Sequence, residues 1–204
     1  MSITIPFESQ INRPGRRRCG AATLLMVYRS FGMAIDQETI GEELDGYEPN
    51  FNRARTFHLS RNALEYGLAA IPCRLREPWT FLSDIDPHLF RIILNHRIHF
   101  DSPLGHYTVF LDANVKDETI LFHDPQLGPE QMLTKDALLE LWTPWGDYCE
   151  ITGNIAVLIS KDGEKDVVCK KCGNPFAFKP FEQDADFRFQ TVFCPWCDAV
   201  WRRP

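Results

Sequence analysis

The sequence predicts an α+β fold with a small cysteine-rich module after it, and three patterns carry that prediction. Apolar segments of helical period come first in the chain. Segments of strand period come later, which argues for α+β over an alternating α/β fold. Two Cys-x-x-Cys pairs then follow a charged, glycine-containing stretch at 160–166. A length of 204 residues suits one domain, or one domain plus a module. The composition, 44% hydrophobic and 25% charged, excludes a disordered, collagenous or coiled-coil chain. A net charge of −6 removes the global basic field that recruits nucleic acid. No apolar run approaches the ~18 residues of a membrane span. The opening MSITIPFESQ places Glu8 where a secretory segment must be apolar, so the expected compartment is the reducing cytoplasm.

Each element has its own justification. Residues 20–31 are almost wholly apolar and helix-long, and Gly32 stands where a C-capping glycine belongs. A helix without a polar face must be buried centrally. Residues 36–44 read as a short polar helix with Asp36 as N-cap. Residues 58–66 carry Leu59, Ala63 and Leu64 at helical spacing before Gly67, and 68–75 follow as a strand. Residues 84–96 fit either a helix through Leu89, Ile92 and Ile93 or a strand beginning near Arg91. Alternation at 106–112 predicts a strand that pairs with 119–123 across the loop NVKDE. An amphipathic helix at 135–142 and a last strand at 154–159 complete the set.

Seven cysteines are many for a reducing compartment, and their placement is informative. Cys19 stands at the start of the buried helix, where orphan backbone N–H groups and the helix dipole favour thiolate. Arg16, Arg17 and Arg18 add positive charge, and Gly20 lets a carbonyl approach the backbone. A cysteine there is equally a small hydrophobe entering the core. Catalysis needs a base and a group that orients it. His106 opens the best strand and Asp124 ends its partner, which brings both to one end of the hairpin. His58, His88, His96 and His99 have weaker settings, while His123 rivals His106 because it adjoins Asp124. Cys73 and Cys149 read as core thiols.

Three motifs in order, C-G-A-A-x-x-x-M-V-x-x-x-x-G from Cys19, H-Y-x-V from His106 and D-P-x-x-G from Asp124, resemble the bacteriocin-leader (double-glycine) peptidases. These form family thirty-nine of the cysteine peptidases, in the papain-like superfamily. The resemblance implies a papain-like fold, a peptide or protein substrate, Cys19 as nucleophile, His106 as general base and acid, and Asp124 as orienting group. It also implies an upstream glutamine at the oxyanion. Gln10 is the one glutamine ahead of Cys19, nine residues before it, further than the family's usual spacing, with Asn12 as the fallback donor. Arg18 stands where the family commonly has Asp. The implied reaction is cleavage of an amide bond through an acyl-enzyme. Transfer of the acyl group to another acceptor, amidase action, and a non-catalytic binding module on the same fold are the alternatives.

The pairs Cys169/Cys172 and Cys194/Cys197 look like zinc knuckles of a zinc ribbon, each with two residues between thiols and a residue tolerant of positive φ after the second. Four thiolates around one Zn2+ leave no open position, so the expected metal is structural, one per chain. The expected division is a peptidase domain at 1–160 and a ribbon at 167–204, since the latter is too short to hold a core unaided. Phe176, Phe178, Phe181, Phe187, Phe189, Phe193, Trp196 and Trp201 are expected mainly as ribbon core, with some available to cover the preceding domain or meet a protein partner. Acidic residues interspersed among Lys170, Lys171, Arg188, Arg202 and Arg203 argue against nucleic acid.

Overall fold

The computed structural model describes residues 4–86, 89–161, 163–182 and 188–202. His88, Phe187 and Arg203 lie outside the described residues, as does the side chain of Arg202. Three helices lead: α1 (Cys19–Ser30), α2 (Gln37–Tyr47) and α3 (Thr56–Glu65). Strand β1 (Ala69–Leu75) and short helix α4 (Pro78–Asp84) follow, then β2 (Arg91–Arg97), β3 (Gly105–Asn114), β4 (Thr119–Asp124) and β5 (Gly128–Thr134). Helix α5 (Lys135–Trp142) and β6 (Ile155–Ser160) come next, and four short strands close the chain: β7 (Val167–Val168), β8 (Pro175–Phe176), β9 (Phe189–Phe193) and β10 (Val200–Arg202).

The leading helix is buried along its whole first ten residues, Cys19 to Tyr28, as a helix without a polar face requires. It ends at Phe31, and Gly32 (φ +80°) returns its N–H to Arg29 O. Asp36 caps α2 by accepting from Thr39 N at 2.8 Å. Eight strands form one antiparallel sheet in the order β10-β9-β1-β6-β2-β3-β4-β5, and β7 pairs with β8 in a separate two-stranded sheet. The hairpin expected between 106–112 and 119–123 forms as β3–β4, with Asn114 opposite Thr119.

The ambiguous stretch resolves as β2, which lies between β6 and β3 and is buried at all seven positions. A strand covered on both faces has no alternation, so periodicity could not separate it from a helix. Two elements lack a sequence pattern. Helix α4 is only seven residues and begins at Pro78. Strand β5, GPEQMLT, is polar and half-exposed at the sheet edge, as edge strands are.

The C-terminal module continues the sheet of the preceding segment. Strand β9 pairs with β1, Cys73 opposite Val192, and β10 adds to β9. Phe181 and Phe189 are fully buried; Phe181 packs on Phe90 (ring centroids 5.2 Å) and Phe189 on Phe81 (5.9 Å). Phe176 and Phe178 pack on Trp201 within the module, at 5.2 and 4.6 Å. Part of the aromatic set is therefore module core and part covers the body. Among the described residues no helix is long and apolar enough to cross a membrane.

Candidate active site and metal centre

Cys19 is the first residue of α1, and the first intrahelical bond runs from Ala22 N to Arg18 O (3.0 Å). The N–H groups of Cys19, Gly20 and Ala21 therefore precede the ladder, as at any helix start. The three arginines before it diverge. Arg18 is 5% exposed and turns to α2, where its Nη2 meets Asp45 Oδ2 at 2.9 Å. It passes so close to Gly41 that a Cβ there would lie 2.0 Å from its Nη1, so a larger residue would displace the guanidinium. Arg16 donates to Phe51 O and Pro49 O. Of the three, Arg17 acts on the thiol.

His106 and Asp124 meet as the hairpin predicts, with Nε2 2.9 Å from Oδ1 and both side chains buried. The same Oδ1 accepts the backbone N–H groups of Gln126 (2.7 Å) and Leu127 (3.1 Å), which fixes the carboxylate within its own turn. Nε2 being committed to Asp124, Nδ1 is the ring nitrogen left for Cys19, and the thiol and the ring shift each other's pKa. Burial pushes the Cys19 thiol up, but the His106 hydrogen bond and charge, Tyr107 N–H and Arg17 outweigh it and hold the pKa below its ordinary value. Burial alone would lower His106; hydrogen bonds to Asp124 and Cys19 and their charges raise it from 6.5 to about 9. Asp124 is held low by the same contacts and its two backbone donors, against the opposing effect of burial. The arrangement favours a thiolate–imidazolium pair braced by a carboxylate.

Three of the other histidines have partners of their own. His123 Nε2 donates to Ile5 O at 2.9 Å and its Nδ1 accepts from Glu130 N at 3.0 Å. His96 bonds Arg97 O (2.7 Å) and Thr108 Oγ1 (3.0 Å), and burial pushes its pKa down to about 4. His58 is used locally, accepting Arg55 N at the start of α3.

Gln10 donates its backbone N–H to Pro125 O at 2.8 Å, beside the Asp124 turn. Gln37 clamps the segment on both sides of it, donating to Ser9 O (2.9 Å) and accepting from Ile11 N. The Gln10 side chain is half-buried and does not line the cleft that contains Cys19. Asn12 is exposed and lines a separate shallow depression with Arg13 and Arg16.

One important residue had no pattern in the sequence. Glu150, on the segment after α5, accepts Gly105 N at 2.8 Å and Arg17 at 2.7 Å, and also pairs with Arg53. It thereby ties the residue before His106 to the arginine beside Cys19. As one acid among 28 in a loop, it was invisible until the chain folded.

The cleft beside Cys19 has a volume of about 440 Å³. Its walls come from the Arg17–Gly20 turn, the Phe51–Thr56 loop, β1 and the Glu150 loop. Phe193 and Asp198 of the C-terminal module also line it, on either side of the second cysteine pair. The module is thus a wall of the cleft as well as an extension of the sheet.

The four cysteine sulfurs, Cys169, Cys172, Cys194 and Cys197, lie within 4.8 Å of one another. Cys169–Cys197 and Cys172–Cys194 are 3.9 and 3.8 Å apart. A tetrahedral ion with metal–sulfur bonds of about 2.3 Å sets its sulfurs about 3.8 Å apart, so these two pairs already match the spacing that one metal ion would require. Both knuckles have the expected backbone: Gly173 (φ +73°) donates to Cys169 O, Asp198 (φ +57°) to Cys194 O, and Trp196 N points at Cys194 Sγ.

No protein-family model matches the sequence, and no curated protein matches it. Solved structures do. The peptidase domain of Streptococcus ComA, a bifunctional ABC transporter involved in quorum sensing, aligns with a TM-score of 0.58 at 17% identity, over 77% of this chain and 98% of that one. A C39-like protein of Bacillus anthracis aligns with 0.56 at 15%, over 78% and 95%. A double glycine motif protease from an AMS/PCAT transporter, solved with its leader peptide, aligns with 0.54 at 19%, over 78% and 93%. The chain thus has the fold of the C39 papain-like peptidase domains, continued into a C-terminal four-cysteine module.

Proposed function

We propose that the chain is a cysteine peptidase-type hydrolase acting on an amide bond of a peptide or protein. The buried line Cys19–His106–Asp124 carries this reading, because a thiolate with a raised-pKa imidazolium beside it is a nucleophile already paired with its acid. In this mechanism the Cys19 thiolate attacks the carbonyl, and the oxyanion meets the Cys19 N–H at the start of α1. His106 Nδ1–H protonates the leaving amine, which departs as the acyl-enzyme forms. His106 then takes a proton from water, hydroxide attacks the thioester, and the acid product leaves with the thiolate restored. Asp124 holds the ring in the tautomer that presents Nδ1 to sulfur.

The four-cysteine cluster is assigned to structural zinc, held by Cys169, Cys172, Cys194 and Cys197 in a ribbon at 167–204. The bound ion would pin the two knuckles together. The peptide reading is supported by the leader peptide bound to the AMS/PCAT protease of the same fold.

The test is labelling of the folded, zinc-loaded protein with iodoacetamide at pH 6.5, followed by mass spectrometry. Cys19 is expected to react well ahead of Cys73 and Cys149, and His106→Ala to slow that reaction while His123→Ala leaves it. Equal labelling of the three thiols in the native protein would remove Cys19 as nucleophile. Loss of peptide turnover in both Cys19→Ala and His106→Ala separates a hydrolase from a binding module.

A further inference from the structure

Six charged side chains line the cleft: Arg17, Arg53, Arg55, Arg74, Glu150 and Asp198. Three of the four arginines already have carboxylates. Arg17 and Arg53 share Glu150, and Arg55 Nε lies 2.9 Å from Glu48 Oε2. Arg74 has none among the described residues. Its Nη2 donates to Thr152 O at 3.2 Å, and its Nε is buried with no hydrogen-bond partner. Arg74 thus brings to the cleft a guanidinium with no anion beside it, and a guanidinium N–H is a strong donor to a carboxylate.

The position of Arg74 is fixed by the sheet. It lies on β1 with Ile155 of β6 on one side and Thr191 of β9 on the other. Two residues before it on the same face of β1, Pro72 also lines the cleft. Its strand neighbour β9 belongs to the four-cysteine module, so the residue sits where that module joins the body.

We infer that Arg74 is a substrate-selecting residue, which receives a carboxylate of the bound peptide in the cleft that holds Cys19. The carboxylate is either an Asp or Glu side chain or the free chain terminus. This inference rests on the reading of the cleft as a peptide site. Arg74 makes no contact with the reacting atoms; it sets which peptides bind well.

The experiment uses the full, zinc-loaded chain carrying Cys19→Ala, so that peptides bind without turnover. Fluorescein-labelled peptides scan Glu against Gln at each position, and a C-terminal acid against its amide, with binding read by anisotropy. At one position, or at the terminus, the acid is expected to bind about tenfold more tightly, the factor yielded by a charge-assisted bond of about 1.4 kcal/mol. Adding Arg74→Gln should collapse that ratio, and Arg74→Glu should reverse it in favour of Lys. Position of the preference distinguishes side chain from terminus. A ratio that survives Arg74→Gln overturns the inference. So does a ratio below threefold everywhere in the Arg74-containing protein, a result that requires no variant at Arg74 to fold. Wild-type kcat/KM on the same peptides separates the two readings. Acid-selective binding without hydrolysis rejects the hydrolase and keeps the subsite, whereas hydrolysis without acid preference rejects the subsite.

Discussion

Replacing Phe189 with alanine asks whether the C-terminal module and the cleft-bearing body stand or fall together. Phe189 is fully buried, opens the strand that pairs with β1, and packs on Phe81 of α4. Phe→Ala at a closed core site costs about 3–5 kcal/mol, from lost transfer energy and the cavity left behind. For a chain of this length each kcal/mol lowers Tm by about 2–4 °C, so a drop of roughly 6–20 °C is expected. The shift should be shared, because β1 sits between β9 and β6 and carries the loss into the central sheet. Hydrogen exchange read by mass spectrometry is the suitable assay. Peptides from β1, β6 and β2 should lose protection together with those from β9. The reasoning is refuted if β9 opens while β2 and β3 keep wild-type protection, for the module would then be an independent unit resting on the sheet edge.

The remaining predictions concern the site. Activity should fall on the alkaline side near pH 9, where His106 releases the proton that pairs it with the thiolate; the acid limb belongs to protonation of Cys19, below its ordinary range. Because the His106 pKa is raised on folding, its contribution to stability is complete below about pH 6.5 and is lost as pH rises through about 9, which chemical denaturation across that window will measure. Asp124→Asn should move the alkaline limb of kcat/KM to lower pH and leave a small residual rate; an unmoved limb would detach Asp124 from His106. Purified protein should contain about one zinc per chain, and Cys194→Ser should lose it and raise KM, because Phe193 and Asp198 beside that knuckle line the cleft. Metal analysis showing wild-type zinc content in Cys194→Ser would remove that cysteine from the ligand set.

The sequence by itself determined what depends on local spacing. The unbroken apolar run of α1 required central burial, Gly32 ended it, Asp36 capped α2, and the alternation of β3 and β4 defined a hairpin. That hairpin was enough to bring His106 and Asp124 together, because strands paired across a short loop bring known positions opposite each other. The two Cys-x-x-Cys spacings likewise announced a four-sulfur cluster. Long-range packing decided the rest. Strand β2 carries no alternation because both its faces are covered, and β5 is too polar to stand out until β4 offers its edge. The three arginines before Cys19 look equivalent in sequence, yet Gly41 leaves room for Arg18 to reach Asp45, and Arg17 alone is drawn by Glu150 to the thiol. Nor could spacing have told that the cysteine module would join β1 and wall the cleft. That follows from an open sheet edge and buried phenylalanines meeting across more than a hundred residues of chain, a contact that exists only once the tertiary fold has formed.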